Sequence, residues 1–408
     1  MINIAILGHG VVGSGVVEVL LQNNESISKK SKEVINIKKI LDLREFPDSP
    51  LANRFTTNFE DILNDDEISI VVECMGGTKP AYDFVRKCLL NGKNVVTSNK
   101  ELVATFGHEL LQIAYENNLN FLFEASVGGG IPIIRPISQC LAANQFSEII
   151  GILNGTTNFI LTKMIDDNMS FDDALALAQQ KGYAERDPSA DIDGHDTCRK
   201  ICILASLAFG KHVSPKNVYT EGIRNITLKD VEFAEKFESV IKLLGIVKKD
   251  SDDKINCVVY PCVVPKYSQL SSVDDVFNAI MVRGDVIGDV MFYGRGAGKL
   301  PTASAVVADV IDCVKHMKAR KYLYWGEETD NYVINHSDCE CELFVRLSAD
   351  DPDKVINDLK STLEIVKVIR VDECNEFCVV VKGIEKDILK QLKENKDFKV
   401  ESVLHVLD

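Results

Sequence analysis

The chain has no apolar run approaching the 18 or so residues that a bilayer-spanning helix needs. It has no CxxC pair, and no stretch in which Lys and Arg gather with aromatics. Each absence closes a class of function. The first excludes a helical membrane protein. The second leaves no paired-thiolate zinc module and no dithiol redox motif. The third, with a net charge of -15, argues against a nucleic-acid partner, whose phosphates would demand a basic surface. No basic segment precedes the first apolar run after Met1-Ile2-Asn3, so a secretory signal is not expected and the chain is read as cytoplasmic. In that compartment the twelve cysteines stay reduced. They read as small buried hydrophobes. Cys198 and Cys202 are one helical turn apart, and Cys339 and Cys341 alternate at a strand start. Neither pair has the second pair that a structural zinc site requires.

What is present is ordinary soluble composition: 46% apolar and 26% charged over 408 residues, enough chain for two or three cores. Through the first 123 residues short apolar runs (INIAILG, VINIKKILDL, SIVVECMGG, NVVTSN, NFLFEAS) alternate with helical patterns. That alternation predicts βα units, a parallel sheet and an α/β, Rossmann-type domain, completed by a helix near 301–318. A second, α+β region is expected over 124–318, then a polar connector over 319–338. From 339 to 408 the pattern βαββαβ predicts a small ferredoxin-like module. As a self-contained unit it should be dispensable for folding of the rest.

Ligands of parallel sheets bind beyond the carboxyl ends of the strands. Those ends read Gly8-His9-Gly10, Asp42, Glu73-Cys74-Met75-Gly76-Gly77, with Thr78 following, and Ser98-Asn99-Lys100. Gly8-His9-Gly10-Val11-Val12-Gly13 fits GxGxxG between an apolar strand and a helix, the context in which backbone amides at a helix start meet a pyrophosphate. A nicotinamide dinucleotide is therefore expected. Asp42 could bind the ribose diol of NAD, and Arg44 the 2′-phosphate of NADP; both readings stand.

The stretch GYAERDPSADIDGHDTCRK, residues 182–200, sets five acids and Lys200 ahead of ICILASLAFG, a run suited to a core helix that Gly210 would end. Acids at a helix start favour its dipole, which accounts for Asp191 and Asp193. Lys200 is at the wrong end of that dipole, and with Asp196 it shares a face that becomes core within a turn. Something other than helix stability holds it there.

Several stretches together resemble the homoserine dehydrogenases: GHGVVGSGVV, TSNKELVA, EASVGGGIPII, GILNGTTNFILTKM, the 182–200 segment and YGRGAGKLPTASAVVADV, in that order. No kinase precedes the first strand, so the resemblance is to the monofunctional form, and the last module is similar to an ACT domain. The resemblance implies interconversion of L-homoserine and L-aspartate 4-semialdehyde with NAD or NADP, in threonine and methionine biosynthesis. It implies a homodimer or higher homo-oligomer built through the middle domain. By position in the motifs it implies catalytic roles for Lys200 and Lys100, with Asp191 as a partner of Lys200. It places Glu185, Asp196, Gly182 and Tyr183 around the substrate, and Gly298 close to the cofactor. Glu124, Val127, Gly129 and Ile131 match a loop that holds a monovalent cation (Na or K), mainly through carbonyls; a plain glycine turn is the competing reading. His195 reads as accessory. The ACT-like turn Ala349-Asp350-Asp351-Pro352-Asp353 lacks the usual glycine, which points to assembly rather than feedback inhibition. An amino-acid-binding protein without turnover would have no use for both lysines, and a semialdehyde dehydrogenase would need an activated cysteine that the sequence does not offer.

Overall fold

The computed structural model describes residues 1–250, 254–319, 323–371 and 375–407. It divides into two compact units, one made of residues 1–147, 199–215 and 282–330, the other of 148–198, 216–281 and 331–408.

In the first unit six parallel strands form one sheet: β1 (Ile2–Leu7), β2 (Ile35–Leu41), β3 (Phe55–Thr56), β4 (Ile68–Glu73), β5 (Asn94–Thr97) and β6 (Phe121–Leu122). Their order is β3-β2-β1-β4-β5-β6. The order reverses between β1 and β4, which opens a crevice at their carboxyl ends. Strands such as ISIVVE are apolar without alternation because helices cover both faces. The helix Lys299–Lys315, at the far end of the chain, packs Ala303, Val306, Val307 and Val310 into the core formed by Ile4, Ile6, Val16, Leu20 and Ile70. This is the helix expected near 301–318.

Residues 124–147 fall in the first unit for a visible reason. The buried Glu124 carboxylate accepts the backbone N–H groups of Ile133 (2.6 Å), Ile134 (2.8 Å) and Arg135 (3.0 Å). Its own N–H donates to Asp309 of the Lys299–Lys315 helix at 2.8 Å. Arg135 pairs with the same Asp309, whose carboxyl is nevertheless pushed up to about 7 by burial.

The segment 319–338 differs from the polar connector that composition suggested. Its residues 320–322 lie outside the described ones, but Trp325 is 1% exposed, edge-on to Phe123 at 5.7 Å and against Gly107. Tyr332 is buried in the second unit, and its carbonyl accepts the N–H of Ile255 at 3.0 Å. Counting charges over the segment hid two aromatic anchors.

The remaining strands are β7 (Phe146–Ile152), β8 (Tyr219–Thr220), β9 (Ser239–Lys249), β10 (Ile255–Pro265), β11 (Phe277–Gly284), β12 (Gly288–Arg295), β13 (Glu340–Ser348), β14 (Glu364–Arg370), β15 (Glu376–Ile384) and β16 (Lys399–Val406). Those lying wholly or mostly in the second unit run β11-β7-β9-β10-β16-β13-β15-β14, with β8 beside β10. Strands β13 to β16 and the helices Pro352–Thr362 and Glu385–Glu394 form the expected βαββαβ module, with its own apolar core around Leu343, Val345, Phe377, Val379 and Ile388. The module is not free-standing. Strand β16 pairs with β10 through Cys262 opposite His405 and Val263 opposite Val406. Arg346 of β13 reaches Asp230, which is fully buried, at 2.9 Å. The expectation of a dispensable module overlooked that its fourth strand covers an otherwise open sheet edge.

Candidate functional site

In the first unit the glycine motif takes the form its spacing demands. Gly8 follows β1 at φ +91, and the helix Val11–Gln22 opens with Gly10 at its cap. A Cβ on Gly13 would fall 1.9 Å from the Gly8 carbonyl oxygen, so only glycine lets the first helical turn close onto the strand end. This leaves a cradle of backbone amides with Val11 exposed at the rim and Val12 half-buried. A Gly13→Ala chain must open that turn. It is expected to bind the dinucleotide about 10 to 100 times more weakly, the cost of one or two lost charge-assisted bonds; a fluorescence titration with reduced nicotinamide showing unchanged affinity contradicts the assignment.

Asp42 ends β2 as expected, but its carboxylate is engaged. It accepts the N–H of His9 at 2.8 Å and two guanidinium bonds from the exposed Arg44, both at 2.9 Å. The Arg44 guanidinium holds the Asp42 carboxyl well below the usual carboxylate range. The acid and the base that sequence reading set against each other are thus one ion pair. Asp42, Arg44, Phe46, Phe55 and Thr56 line a cleft of about 420 Å³ beyond the strand. The ring of His9 stands edge-on to Phe46 and Phe55 at 4.8 and 5.1 Å.

The other strand ends are tied together by Glu73, which the sequence places at a strand end without revealing its partners. Fully buried, it accepts from Thr97 Oγ1 at 2.6 Å and from the N–H of Met75 at 2.7 Å. Burial pushes its carboxyl up, and these bonds oppose the shift. Thr97 Oγ1 in turn accepts the N–H of Asn99 at 2.9 Å, and Asn99 Nδ2 donates to the Gly77 carbonyl at 2.6 Å. Asn99 also caps the helix Lys100–Glu116 by accepting the N–H of Leu102. Through this chain of bonds Gly76, Gly77, Thr78, Ser98 and Lys100 gather along one edge of the sheet. Gly298 sits at φ +123 at the start of the helix Lys299–Lys315.

In the loop after Glu124, Val127 and Ile131 are buried, and the N–H of Ile131 donates to the Gly128 carbonyl at 2.8 Å. Gly129, at φ +56, lies so close to Gly296 that a Cβ would fall 2.2 Å from its carbonyl oxygen.

In the second unit the acids of 182–200 separate into distinct groups. Glu185 is exposed, after the turn of Gly182 at φ +75. Tyr183 packs its ring on Phe159, and its carbonyl accepts from Thr156 Oγ1 at 2.7 Å. Asp187 binds Ser189, and Asp193 is paired bidentately with Arg224, so these two serve local structure. Asp191 and Asp196 are brought together by a residue that sequence reasoning missed. Asn154 Nδ2 donates to Asp191 Oδ1 at 2.7 Å and to Asp196 Oδ2 at 2.9 Å. The Asn154 oxygen meanwhile accepts the N–H of Thr157, capping the helix Gly155–Asp166. Asp196 is 4% exposed. The helix His195–Phe209 carries it one turn before Lys200, itself 8% exposed, and Gly210 follows at φ +80. Asn158, the second asparagine of GILNGTTN, is architectural: its Nδ2 donates to the carbonyls of Val273, Asp275 and Phe277.

Burial pushes the thiols of Cys74, Cys257 and Cys378 upward, and that of Cys88 to about 12.

A parallel sheet with an amide cradle at its switch point, matched over residues 8–124 by the family model "Homoserine dehydrogenase, NAD binding domain", defines an NAD(P)-dependent oxidoreductase acting on a CH–OH group. The model "Homoserine dehydrogenase" matches residues 132–311. A curated homoserine dehydrogenase from Synechocystis sp. is 44% identical over 77% of this chain and 73% of its own. The solved homoserine dehydrogenase from Thiobacillus denitrificans superposes with a TM-score of 0.90 at 34% identity, covering 100% of this chain and 98% of the other. A hyperthermophilic archaeal homoserine dehydrogenase solved in complex with NADPH gives 0.65 at 28% identity, over 76% of this chain and 97% of the other. The chain belongs to the homoserine dehydrogenase family. No helix among the described residues is long and apolar enough to cross a membrane.

Proposed function

We propose that the chain interconverts L-homoserine and L-aspartate 4-semialdehyde, with Lys200 as the acid-base group and Asp191 and Asp196 in the substrate pocket. The observation that carries this reading is the Asn154 amide bridging those two acids, the second of them in the first turn of the helix that bears Lys200. Homoserine is a zwitterion, and its ammonium group needs a counter-charge that does not itself wander. Two carboxylates fixed by one amide supply it, and Glu185, Gly182 and Tyr183 complete the pocket from the preceding turn.

The bound dinucleotide supplies the hydride acceptor in one direction and the donor in the other. Charge on the reacting oxygen must be cancelled as hydride moves. In the oxidation the neutral amine of Lys200 takes the hydroxyl proton; in the reduction its ammonium returns it. Asp191 would orient that amine, and Lys100, at the N-terminus of its helix, would be the second catalytic lysine. Gly8, Gly10, Val11, Val12 and Gly13 would hold the pyrophosphate, the Asp42–Arg44 pair would meet the adenosine ribose, and Gly76, Gly77, Thr78, Ser98 and Gly298 would serve the nicotinamide end. Carbonyls of Glu124, Val127, Gly129 and Ile131 take a monovalent cation, Na or K. Residues 1–123, completed by the helix Lys299–Lys315, serve the dinucleotide. Residues 124–318 serve substrate binding and dimerisation, and the 339–408 module is ACT-like and serves assembly. The protein acts in the cytoplasm, as a homodimer or higher homo-oligomer, in threonine and methionine biosynthesis.

The test is direct: purified protein with L-homoserine and NAD or NADP at mildly alkaline pH, followed by nicotinamide absorbance. No reduction of either cofactor rejects the reading. Within it, Glu185→Ala should raise the Michaelis constant for homoserine by roughly tenfold or more with little change in kcat, as expected when a charge-assisted contact made equally in ground and transition states is lost. An unchanged constant removes Glu185 from the pocket.

A further inference from the structure

The C-terminal module opens on Cys339-Glu340-Cys341, whose cysteines have no second pair in the sequence. The fold supplies other partners. The start of β13, the first residue of the helix Glu385–Glu394 and the end of β16 meet, so that Cys341 Sγ, a Glu385 carboxylate oxygen and a His405 ring nitrogen all lie within 4.8 Å of one another. Glu385 is 6% and His405 7% exposed. His405 Nε2 stands 3.5 Å from Glu385 Oε2, and His336 Nε2 stands 3.6 Å from Glu385 Oε1.

These separations are longer than a direct N–H···O bond of about 2.9 Å. They are close to the roughly 3.3 Å between neighbouring ligands around a tetrahedral ion with bonds of about 2.0 to 2.1 Å. Both rings are held in plane by stacking, His405 on Tyr260 at 3.8 Å and His336 on Tyr219 at 3.7 Å. A cleft of about 460 Å³ lined by Tyr219, Glu221, Glu385, Glu401 and His405 offers a path from solvent.

We propose that Cys341, Glu385 and His405 form a site for a divalent transition-metal ion, zinc being the best fit. The donor set argues for this class. A thiolate and an imidazole prefer zinc or its borderline neighbours to magnesium or calcium, which take oxygen ligands. A thiolate and a carboxylate also cancel a double positive charge, so the buried assembly is neutral overall. On binding, the Cys341 proton passes to solvent and the sulfur–metal bond replaces the S–H bond. The ion would fasten the first strand of the module, its last strand and its second helix at one point.

The test uses the full chain, stripped with a chelator and titrated with Co²⁺. One equivalent should give a thiolate-to-cobalt charge-transfer absorption that Zn²⁺ abolishes by displacement. The band should persist in Cys140→Ser and Cys339→Ser and vanish in Cys341→Ser, with zinc affinity in His405→Ala lower by about 100-fold or more. No band in the unsubstituted chain overturns the site, as does a band unchanged in Cys341→Ser. Should that variant misfold by circular dichroism, the zinc-edge spectrum of the unsubstituted loaded chain decides. One sulfur at about 2.3 Å among nitrogen and oxygen at about 2.0 Å supports the site, and a shell without sulfur or with several overturns it.

Discussion

Lys200→Ala is expected to lose about a thousandfold or more in turnover while its affinity for the dinucleotide stays near that of the unsubstituted chain. The size follows from the role: positioned acid-base groups contribute roughly 10²- to 10⁴-fold. The pattern matters more than the size. A group that acts only as the proton moves lowers kcat and kcat/KM together and leaves the homoserine constant little changed. A merely structural lysine, 8% exposed on a core-bound helix, would instead show its loss in the unfolding midpoint. Stopped-flow turnover, a dinucleotide titration and urea unfolding of the same variant separate the two. Near-normal turnover refutes the catalytic assignment, and Lys200→Gln, which keeps length and polarity, guards against a packing artefact.

The parts of this site that were legible in the sequence are those where local chemistry is self-sufficient. Gly8 and Gly13 could be read because a single turn demands them, and Lys200 because a cation at a helix start is out of place. Asn154 could not be read as a bridge: its two acids are 37 and 42 residues away, and nothing in GILN distinguishes an amide that caps its own helix from one that also reaches another segment. Glu73 was legible as a strand end, but not its role, because its partner Thr97 belongs to the next strand. The βαββαβ pattern was legible from periodicity alone. What covers its outer edge was not, because a strand's second neighbour leaves no mark on its own alternation. Trp325 and Tyr332 were lost in a charge count, although an isolated aromatic in a polar stretch is itself a signal of anchoring.

Arg346→Ala is expected to destabilise the second unit by about 3–5 kcal/mol, the cost of leaving a buried charge without its partner. Asp230 is fully buried and belongs to the capping box of the helix Leu228–Lys236: Thr227 donates to it through its N–H at 2.9 Å and its hydroxyl at 2.6 Å. Ser402 of β16 adds a third neutral donor. Among the described residues only Arg346 brings it positive charge, through Nε at 2.9 Å, and the same guanidinium holds Glu376 of β15 at 2.5 Å. Truncation to alanine therefore strands one buried carboxylate and releases another, and it does so where strands β13, β15 and β16 meet the middle of the sheet. The fall should appear in urea as a lower midpoint. A double variant, Arg346→Met with Asp230→Asn, should recover much of it, because the uncompensated charge is gone and the apolar stem still packs. A chain ending at 338 has the same defect in stronger form, with Asp230 stripped of both Arg346 and Ser402 and the Cys262–Val263 edge of β10 unpaired. It is expected to be insoluble or inactive. A soluble, fully active product of that length would show that the pairing of β16 with β10 adds little, and that the module is carried by the sheet without supporting it.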